Sequence, residues 1–257
     1  MTQDKPQTTV RAVERTLNIL FLISSASEPL SLSEISGSTG VDKATALRLL
    51  ATLEVFRLVQ RDEKNRTFAI GAGAWQLASS YQSELKTLSE KHLRKLRDMT
   101  GESVSLVVSR GLDRVMLTAI EATHELRVVP KPNSVVPVYA GASGKVFMAF
   151  MSAPERARVI ELTGLCPVNE RSAMDQESFL ASLEQVRRDG YAASVGDVTL
   201  GAVAVAAPVF GSRGEIVAVV SLRGPEARLT SDRVHQLSPL VVEAARNLAD
   251  DVSGQGA

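Results

Sequence analysis

The feature that most constrains the fold of this chain lies in residues 31–53, where one predicted helix ends and another begins within a few residues. Ser31 and Glu34 have the S-x-x-E spacing of a capping box, in which two side chains satisfy backbone amides at a helix start. Gly40 allows the positive φ that ends such a helix, and Asp42 is a favourable N-cap for the next one. Apolar residues at helical spacing then continue to Leu53. The segment predicts two short helices joined by a tight turn.

The flanking segments extend this pair into a larger unit. Residues 10–25 carry apolar side chains at helical spacing, and Pro29 disfavours helix just beyond them. After the second short helix, residues 58–61 and 66–70 have strand character and are joined by the polar turn 62–65. The order helix, helix, turn, helix, hairpin is that of a winged helix-turn-helix.

The outer side of the second short helix carries residue types that bind DNA. Lys43 and Arg48 can reach phosphates or a guanine edge, and Thr45 can donate to a phosphate. Ala44 and Leu47 suit contact with a thymine methyl group. The predicted DNA-binding set is Ser31, Lys43, Ala44, Thr45, Leu47, Arg48, Arg61, Lys64 and Arg66.

Charge alone adds little to this prediction. Lys plus Arg and Asp plus Glu each number 29, so the net charge is zero. Residues 43–66 contain six basic and three acidic side chains, a modest excess that favours phosphate neutralisation. The alternative is a protein–protein module, because basic residues often only solvate a surface. The order of capping box, turn glycine and basic hairpin favours DNA.

Composition limits the other function classes. Cys166 is the single cysteine, so no internal disulfide or multi-cysteine metal site is expected, and a spectator thiol is favoured over a redox sensor. His92, His124 and His235 are scattered, and His124 with Glu121 would make an incomplete metal site. The polar start and the lack of a run of about 18 apolar residues predict neither a signal peptide nor a membrane span. A reducing cytoplasm is compatible with this composition.

The C-terminal two thirds alternate between strands and helices. Strands 103–108 and 114–120 surround a turn at Gly111, and a second hairpin joins 202–209 to 216–222. Helices are expected near residues 74–99, 144–151, 176–188 and 234–248. Because the strands pair as hairpins, the fold class is α+β, with helices packed on an antiparallel sheet.

The segment from Gly141 to Lys145 follows an extended stretch and opens a helix. Free backbone amides at a helix start favour an anion such as a carboxylate, although a plain tight turn is the alternative. A Walker loop is excluded because Tyr139 and Val146 occupy positions that require Gly and Ser or Thr. A hydrolase elbow is excluded because it requires Gly at Lys145. No enzyme chemistry is legible elsewhere, and no cofactor is expected.

Several segments in the right order resemble the isocitrate lyase regulator (IclR) family of bacterial transcription regulators. The resemblance lies in residues 10–20, 30–35, 43–53, 93–104, 141–145, 190–197 and 205–210. It covers nearly all of residues 10–250 and implies an operator-binding protein. It also implies a GAF/PAS-like effector domain at the C-terminus.

The resemblance further implies a pocket for a small organic acid. Its residues would be Gly141, Ala142, Ser143, Gly144, Asp197, Ala204, Ser221 and Arg223. Family members that bind small oxo-acids often have Ser where this chain has Arg223. The Arg223 side chain could pair with a carboxylate of the ligand, point into solvent or contact another subunit, and the sequence leaves these three roles open. Ala204 leaves space, which favours a bulkier or more apolar acid, aromatic acids included.

The sequence-level hypothesis is a regulator whose operator affinity changes when the acid binds. The expected segments are a disordered tail 1–9, the winged helix-turn-helix 10–73, a linker helix 74–86, an effector and oligomerisation domain 87–252, and a tail 253–257. A homodimer or homotetramer is expected, with Trp75 and Leu77 as candidate dimer contacts, because a helix-turn-helix reads paired half-sites. The expected partners are double-stranded operator DNA and the acid, with no membrane, and the expected location is the cytoplasm.

Overall fold

The computed structural model describes residues 9–26, 28–129, 135–172 and 175–254. The chain divides into two compact units, residues 1–83 and 84–257. The expected tail over residues 1–9 lies outside the described part except for Thr9, and so does the end of the expected tail 253–257. In the described residues no helix combines the length and apolar character that crossing a membrane requires.

The first unit is a three-helix head with a small sheet. Its helices are α1 (Arg11–Ser25), α2 (Leu32–Thr39) and α3 (Lys43–Val55), and its strands are β1 (Leu30–Ser31), β2 (Val59–Asp62) and β3 (Thr67–Ile70). The strands are antiparallel in the order β1-β3-β2. Its core consists of Ile19, Ile23, Ile35, Val41, Ala46, Leu50, Leu53, Val59 and Phe68. The winged helix-turn-helix that the sequence predicted is therefore present.

The local signals of the sequence set the helix ends in this unit. The Ser31 hydroxyl accepts a hydrogen bond from the Glu34 amide at 3.3 Å, and the Ser31 amide donates to the Glu34 carboxylate at 2.7 Å. Gly40 ends α2 at φ +66°. The Asp42 side chain then accepts from the Thr45 amide at 2.9 Å and begins α3.

Helix α4 (Ala72–Thr100) is longer than the expected linker and continues beyond residue 86. The second unit contains the remaining elements. Its helices are α5 (Gly141–Phe150), α6 (Ala153–Thr163), α7 (Gln176–Asp189) and α8 (Ser231–Val252), with a short 3-10 turn at Glu170–Ser172. Its strands are β4 (Ser103–Arg110), β5 (Asp113–Ile120), β6 (Val136–Pro137), β7 (Ala192–Val195), β8 (Ala202–Phe210) and β9 (Ile216–Pro225).

The six strands form one antiparallel sheet in the order β6-β5-β4-β9-β8-β7. Side chains of alternating residues leave opposite faces of a strand. On one face, residues such as Leu106, Val220 and Leu222 form a core with α8 and the second half of α4. On the other face, Val107 and Val219 pack in a second core with α5 and α7. This second face positions the cavity described below.

The structure adds elements that the sequence did not predict and moves one boundary. Helix α6 and the short strands β1 and β7 are additional, whereas β6 lies within the extended stretch that was expected before Gly141. Helix α5 begins at Gly141 rather than near Gly144, and Gly141 itself has φ +63°. Its opening residues therefore lie in the first helical turn instead of in a preceding loop.

Candidate nucleic-acid interface and effector cavity

The outer side of α3 faces away from the core. Lys43, Ala44, Leu47 and Arg48 are exposed, Leu47 by 42% of its surface, and Thr45 is half-buried. Neither Lys43 nor Arg48 forms an ion pair within the described residues. An exposed basic and apolar face at a helix N-terminus is what major-groove contact requires.

The β2–β3 hairpin carries the other basic residues. The Asp62 carboxylate accepts from the amides of Lys64 and Asn65 at 2.9 and 3.1 Å, which organises the turn. The guanidinium of Arg61 lies 5.7 Å from the centre of the Phe68 ring and 3.6 Å from the Glu63 carboxylate. Arg61 is thus partly engaged within the hairpin, whereas Lys64 and Arg66 are exposed.

The base of the hairpin is locked against the end of α3. Arg57 has φ +59°, and its carbonyl accepts from the Gly73 amide at 2.7 Å. A Cβ on Gly71 would lie 2.3 Å from the Arg57 carbonyl oxygen, and one on Gly73 would lie 2.6 Å from that of Phe56. Only glycine fits at these two positions, so α3 and the hairpin share one backbone junction.

Ser31 differs from the other predicted DNA contacts. It is half-buried, and its hydroxyl oxygen is the acceptor in the α2 capping box. Its hydroxyl hydrogen remains able to donate to a phosphate, because a hydroxyl both accepts and donates.

In the second unit, one recess collects most of the predicted effector residues. The recess is lined by Gly141, Ala142, Ser143, Asp197, Ala204 and Arg223. It adjoins a larger cavity of about 450 Å³ that shares Arg223 with it and has apolar walls that include Val107 and Met116. Its size is in the range of small-molecule sites. We call the two spaces together the α5 cavity.

Two predicted effector residues lie off the lining of the α5 cavity. A Cβ on Gly144 would come within 2.2 Å of the Tyr139 carbonyl carbon, so this glycine allows α5 to pack on the preceding turn. Ser221 is 1% exposed, and its hydroxyl has no hydrogen-bond partner within the described residues. It shares a face of β9 with Arg223 but lies in the sheet beside Ser105 and Ala206.

Arg114 was missed by the sequence analysis and lines both parts of the α5 cavity. It is 5% exposed, and its Nη2 donates to the Ala140 carbonyl at 3.1 Å. Its Nε has no hydrogen-bond partner within the described residues. Burial, and then the positive charge of Arg223, lowers the pKa of Arg114 to about 10, so the side chain remains charged at neutral pH. Burial also lowers the pKa of Arg223.

The other charged residues at the α5 cavity neutralise each other. Lys145 Nζ lies 3.2 Å from the Asp197 carboxylate, and both side chains are 15% exposed. The predicted ligand contact Asp197 is thus held by a lysine of α5. Within the described residues, no group of three or more His, Cys, Asp or Glu side chains is arranged to hold a metal ion.

The first turn of α5 borders the recess. Ala140, its N-cap, supplies no side-chain hydrogen bond, and the Ala142 amide donates to the Ser194 hydroxyl at 3.0 Å. A Cβ on Gly141 would lie 3.9 Å from Arg114 Nη2, which places the guanidinium at the helix N-terminus. A helix dipole and an arginine therefore favour negative charge at the same point.

Comparison with known proteins gives matches over both units. The family model described as "IclR helix-turn-helix domain" matches residues 12–63, and the one described as "Bacterial transcriptional regulator IclR C-terminal" matches residues 78–250. The HTH-type transcriptional repressor AllR of Escherichia coli K12 is 27% identical over 241 residues, covering 93% of this chain and 89% of its own. The AllR of Klebsiella pneumoniae is 29% identical over the same shares. The crystal structure of Thermotoga maritima IclR has the same fold, with a TM-score of 0.63 at 23% identity over 95% of this chain and 98% of its own.

Proposed function

This chain belongs to the IclR family of bacterial transcriptional regulators, and we propose that it represses transcription by binding operator DNA through α3 and the β2–β3 hairpin. The observation that carries the proposal is the exposed basic and apolar face of α3 beside the basic hairpin. The relatives that are named as repressors support repression as the direction of control. We place the protein in the cytoplasm with its DNA.

The DNA-contacting residues follow from this surface. Lys43 and Arg48 approach the major groove with Ala44 and Leu47 between them, and Thr45 donates to a phosphate. Ser31, Arg61, Lys64 and Arg66 contact the backbone on either side. Arg61 contributes less than its neighbours, because it is already paired with Glu63 and stacked on Phe68.

A small organic acid bound in the α5 cavity modulates operator affinity. The lining by Gly141, Ala142, Ser143, Asp197, Ala204 and Arg223 supports this part of the proposal, and the apolar walls support an acid with an apolar body. Such a ligand changes DNA binding only to the extent that it binds the two states of the protein unequally.

The regulator works as a homo-oligomer. Helix α1 carries an exposed apolar stripe that includes Val13, Leu17 and Phe21, and α4 exposes Trp75 and Leu77. Exposed apolar stripes of this kind are typical of association surfaces. A dimer would present two α3 helices to paired half-sites.

The test is a duplex titration with a matched pair of arginine variants. The probe is the promoter region of the protein's own gene, followed by fluorescence anisotropy. Arg48→Ala should weaken binding by about 10-fold or more, whereas Arg158→Ala, an exposed residue of α6, should leave it unchanged. Affinity should also fall steeply as salt rises. An Arg48→Ala variant with wild-type affinity, or binding that ignores salt, would refute the proposed surface.

A further inference from the structure

The α5 cavity has an unbalanced charge. Three charged side chains line it: Arg114, Asp197 and Arg223. A fourth, Lys145, contacts Asp197. Lys145 and Asp197 form an ion pair, so together they contribute no net charge. Neither arginine forms an ion pair with any residue that the structure describes. Among the described residues, the cavity therefore has two positive charges that no carboxylate neutralises.

The two arginines are held in the cavity wall rather than in solvent. Arg114 belongs to β5 and Arg223 to β9, which lie on either side of β4 in the sheet. Arg114 is almost completely buried, and its unpartnered Nε is an unused donor. Leaving a buried charge and a buried donor unsatisfied is costly, so proteins normally provide a partner for each. Here the cavity itself offers the place for that partner.

One of the two charges coincides with a helix start. The Arg114 guanidinium lies at the N-terminus of α5, near Gly141. The N-cap residue Ala140 supplies no side-chain hydrogen bond, although the Ser194 hydroxyl accepts from the Ala142 amide in the first turn. A carboxylate there would meet the arginine and the positive end of the helix dipole together. Arg223 provides a second position for a carboxylate on the other side of β4.

The remaining walls disfavour a small or wholly polar anion. Val107, Met116, Val136 and Val198 line the larger part of the cavity, and Ala204 in the recess presents only a methyl group. A volume of about 450 Å³ exceeds what a bare inorganic ion fills.

We infer that the effector is an organic dicarboxylate with an apolar body, which places one carboxylate between Arg114 and the N-terminus of α5 and the other at Arg223. This inference rests on the proposed effector function of the cavity. A monocarboxylate would bring one negative charge against the two positive charges of Arg114 and Arg223. A dicarboxylate neutralises both while its carbon skeleton fills the apolar part.

The test compares acids that differ in one carboxylate. Isothermal titration calorimetry on the full chain would use adipate against hexanoate and phthalate against benzoate, with inorganic phosphate as a further probe. At least one diacid should bind about 30-fold or more tightly than its monoacid partner, because a buried charge pair is gained. Equal affinity within both pairs, no binding by any diacid, or phosphate binding as tightly as the diacids would overturn the inference.

Variants identify the arginine responsible. Arg114→Met should reduce the preference for the diacid to within about 3-fold, since a monoacid already satisfies the remaining arginine. Arg110→Met is the control, because Arg110 is exposed on the neighbouring strand β4. Arg114→Lys keeps the charge and should retain most of the preference, which guards against a Met variant that misfolds. A Met variant that keeps the full preference while folded would refute the role of Arg114.

Duplex binding by the same proteins separates this inference from the proposed function. Without acid, the Arg110→Met control should bind the duplex as the wild type does. A wild type that binds duplex but shows no diacid preference contradicts the inference alone. A wild type that prefers diacids but binds no duplex contradicts the proposed function alone.

Discussion

Replacing Arg114 by methionine should stabilise the protein in the absence of ligand. Arg114 holds a charge in the cavity wall with no carboxylate beside it in the described structure, so the folded state is penalised for keeping it. Methionine has a similar unbranched stem and no charge. The substitution therefore removes the penalty while it retains much of the packing of the side chain.

The magnitude follows from the pKa of Arg114. Burial, with a smaller contribution from Arg223, lowers this pKa from its ordinary value to about 10, a penalty of ~3 kcal/mol. The charged form is the disfavoured one, so the penalty applies in full below pH 10 and fades as pH rises through the unfolded-state pKa. Against this, the Ala140 carbonyl loses its hydrogen bond, a cost of about 1–2 kcal/mol. The net expectation is a gain of ~1–2 kcal/mol.

Urea unfolding of the ligand-free full chain near neutral pH measures this gain. The midpoint should rise with an unchanged slope, and a gain of ~1 kcal/mol corresponds to about 2–4 °C in melting temperature. Arg110→Met, on the exposed end of β4, should change stability by less than about 0.5 kcal/mol. An Arg114→Met protein that unfolds at lower urea than the wild type would refute the reasoning, because the charge would then be stabilising.

Three further predictions concern packing and ion pairs. Gly144→Ala should destabilise the second unit by about 2 kcal/mol or more, since its Cβ would overlap the backbone before α5. As the control, Gly37→Ala lies in a helix with open space around it and should instead increase stability by about 0.5–1 kcal/mol. Thermal melts of the two variants make the comparison. Leu50→Ala should cost about 2–5 kcal/mol because Leu50 is fully buried in the head; a smaller loss by urea unfolding would contradict that packing. Hydrogen bonds from Lys91 and then His92 lower the pKa of Asp251, so its stabilisation is present above the ordinary carboxylate pKa and is lost as pH falls through the lowered one. Asp251→Asn should thus be less stable than wild type near neutral pH, with the difference shrinking toward acid; a constant difference across pH would argue against this.

The head could be predicted in detail because its signals are local. Capping residues such as Ser31 and Asp42 fix helix ends whatever surrounds them. The apolar face of α1 was less informative, because periodicity does not show which apolar residues pack within the domain. Ile23 is buried there, whereas Leu17 and Phe21 are exposed.

The cavity could be predicted only in part. The turn at Gly141 and the alternation along β9 indicated several lining residues, but Arg114 follows a turn and begins an ordinary strand pattern, where an arginine is normally solvent-exposed. Its burial depends on α5 covering that face of the sheet, which no local pattern encodes. Helix α6 did have a local signal, the capping box of Ser152 and Glu155, which the sequence analysis overlooked.

The two glycines that press against the end of the recognition helix limit how this protein can respond to its effector. Because Gly71 and Gly73 pack against the backbone at Arg57, α3 and the β2–β3 hairpin cannot hinge relative to each other. The three-helix head therefore keeps one fixed arrangement of α3 and the hairpin. In the homo-oligomer that we propose, an effector would therefore act on the distance between two such units rather than on the shape of either one.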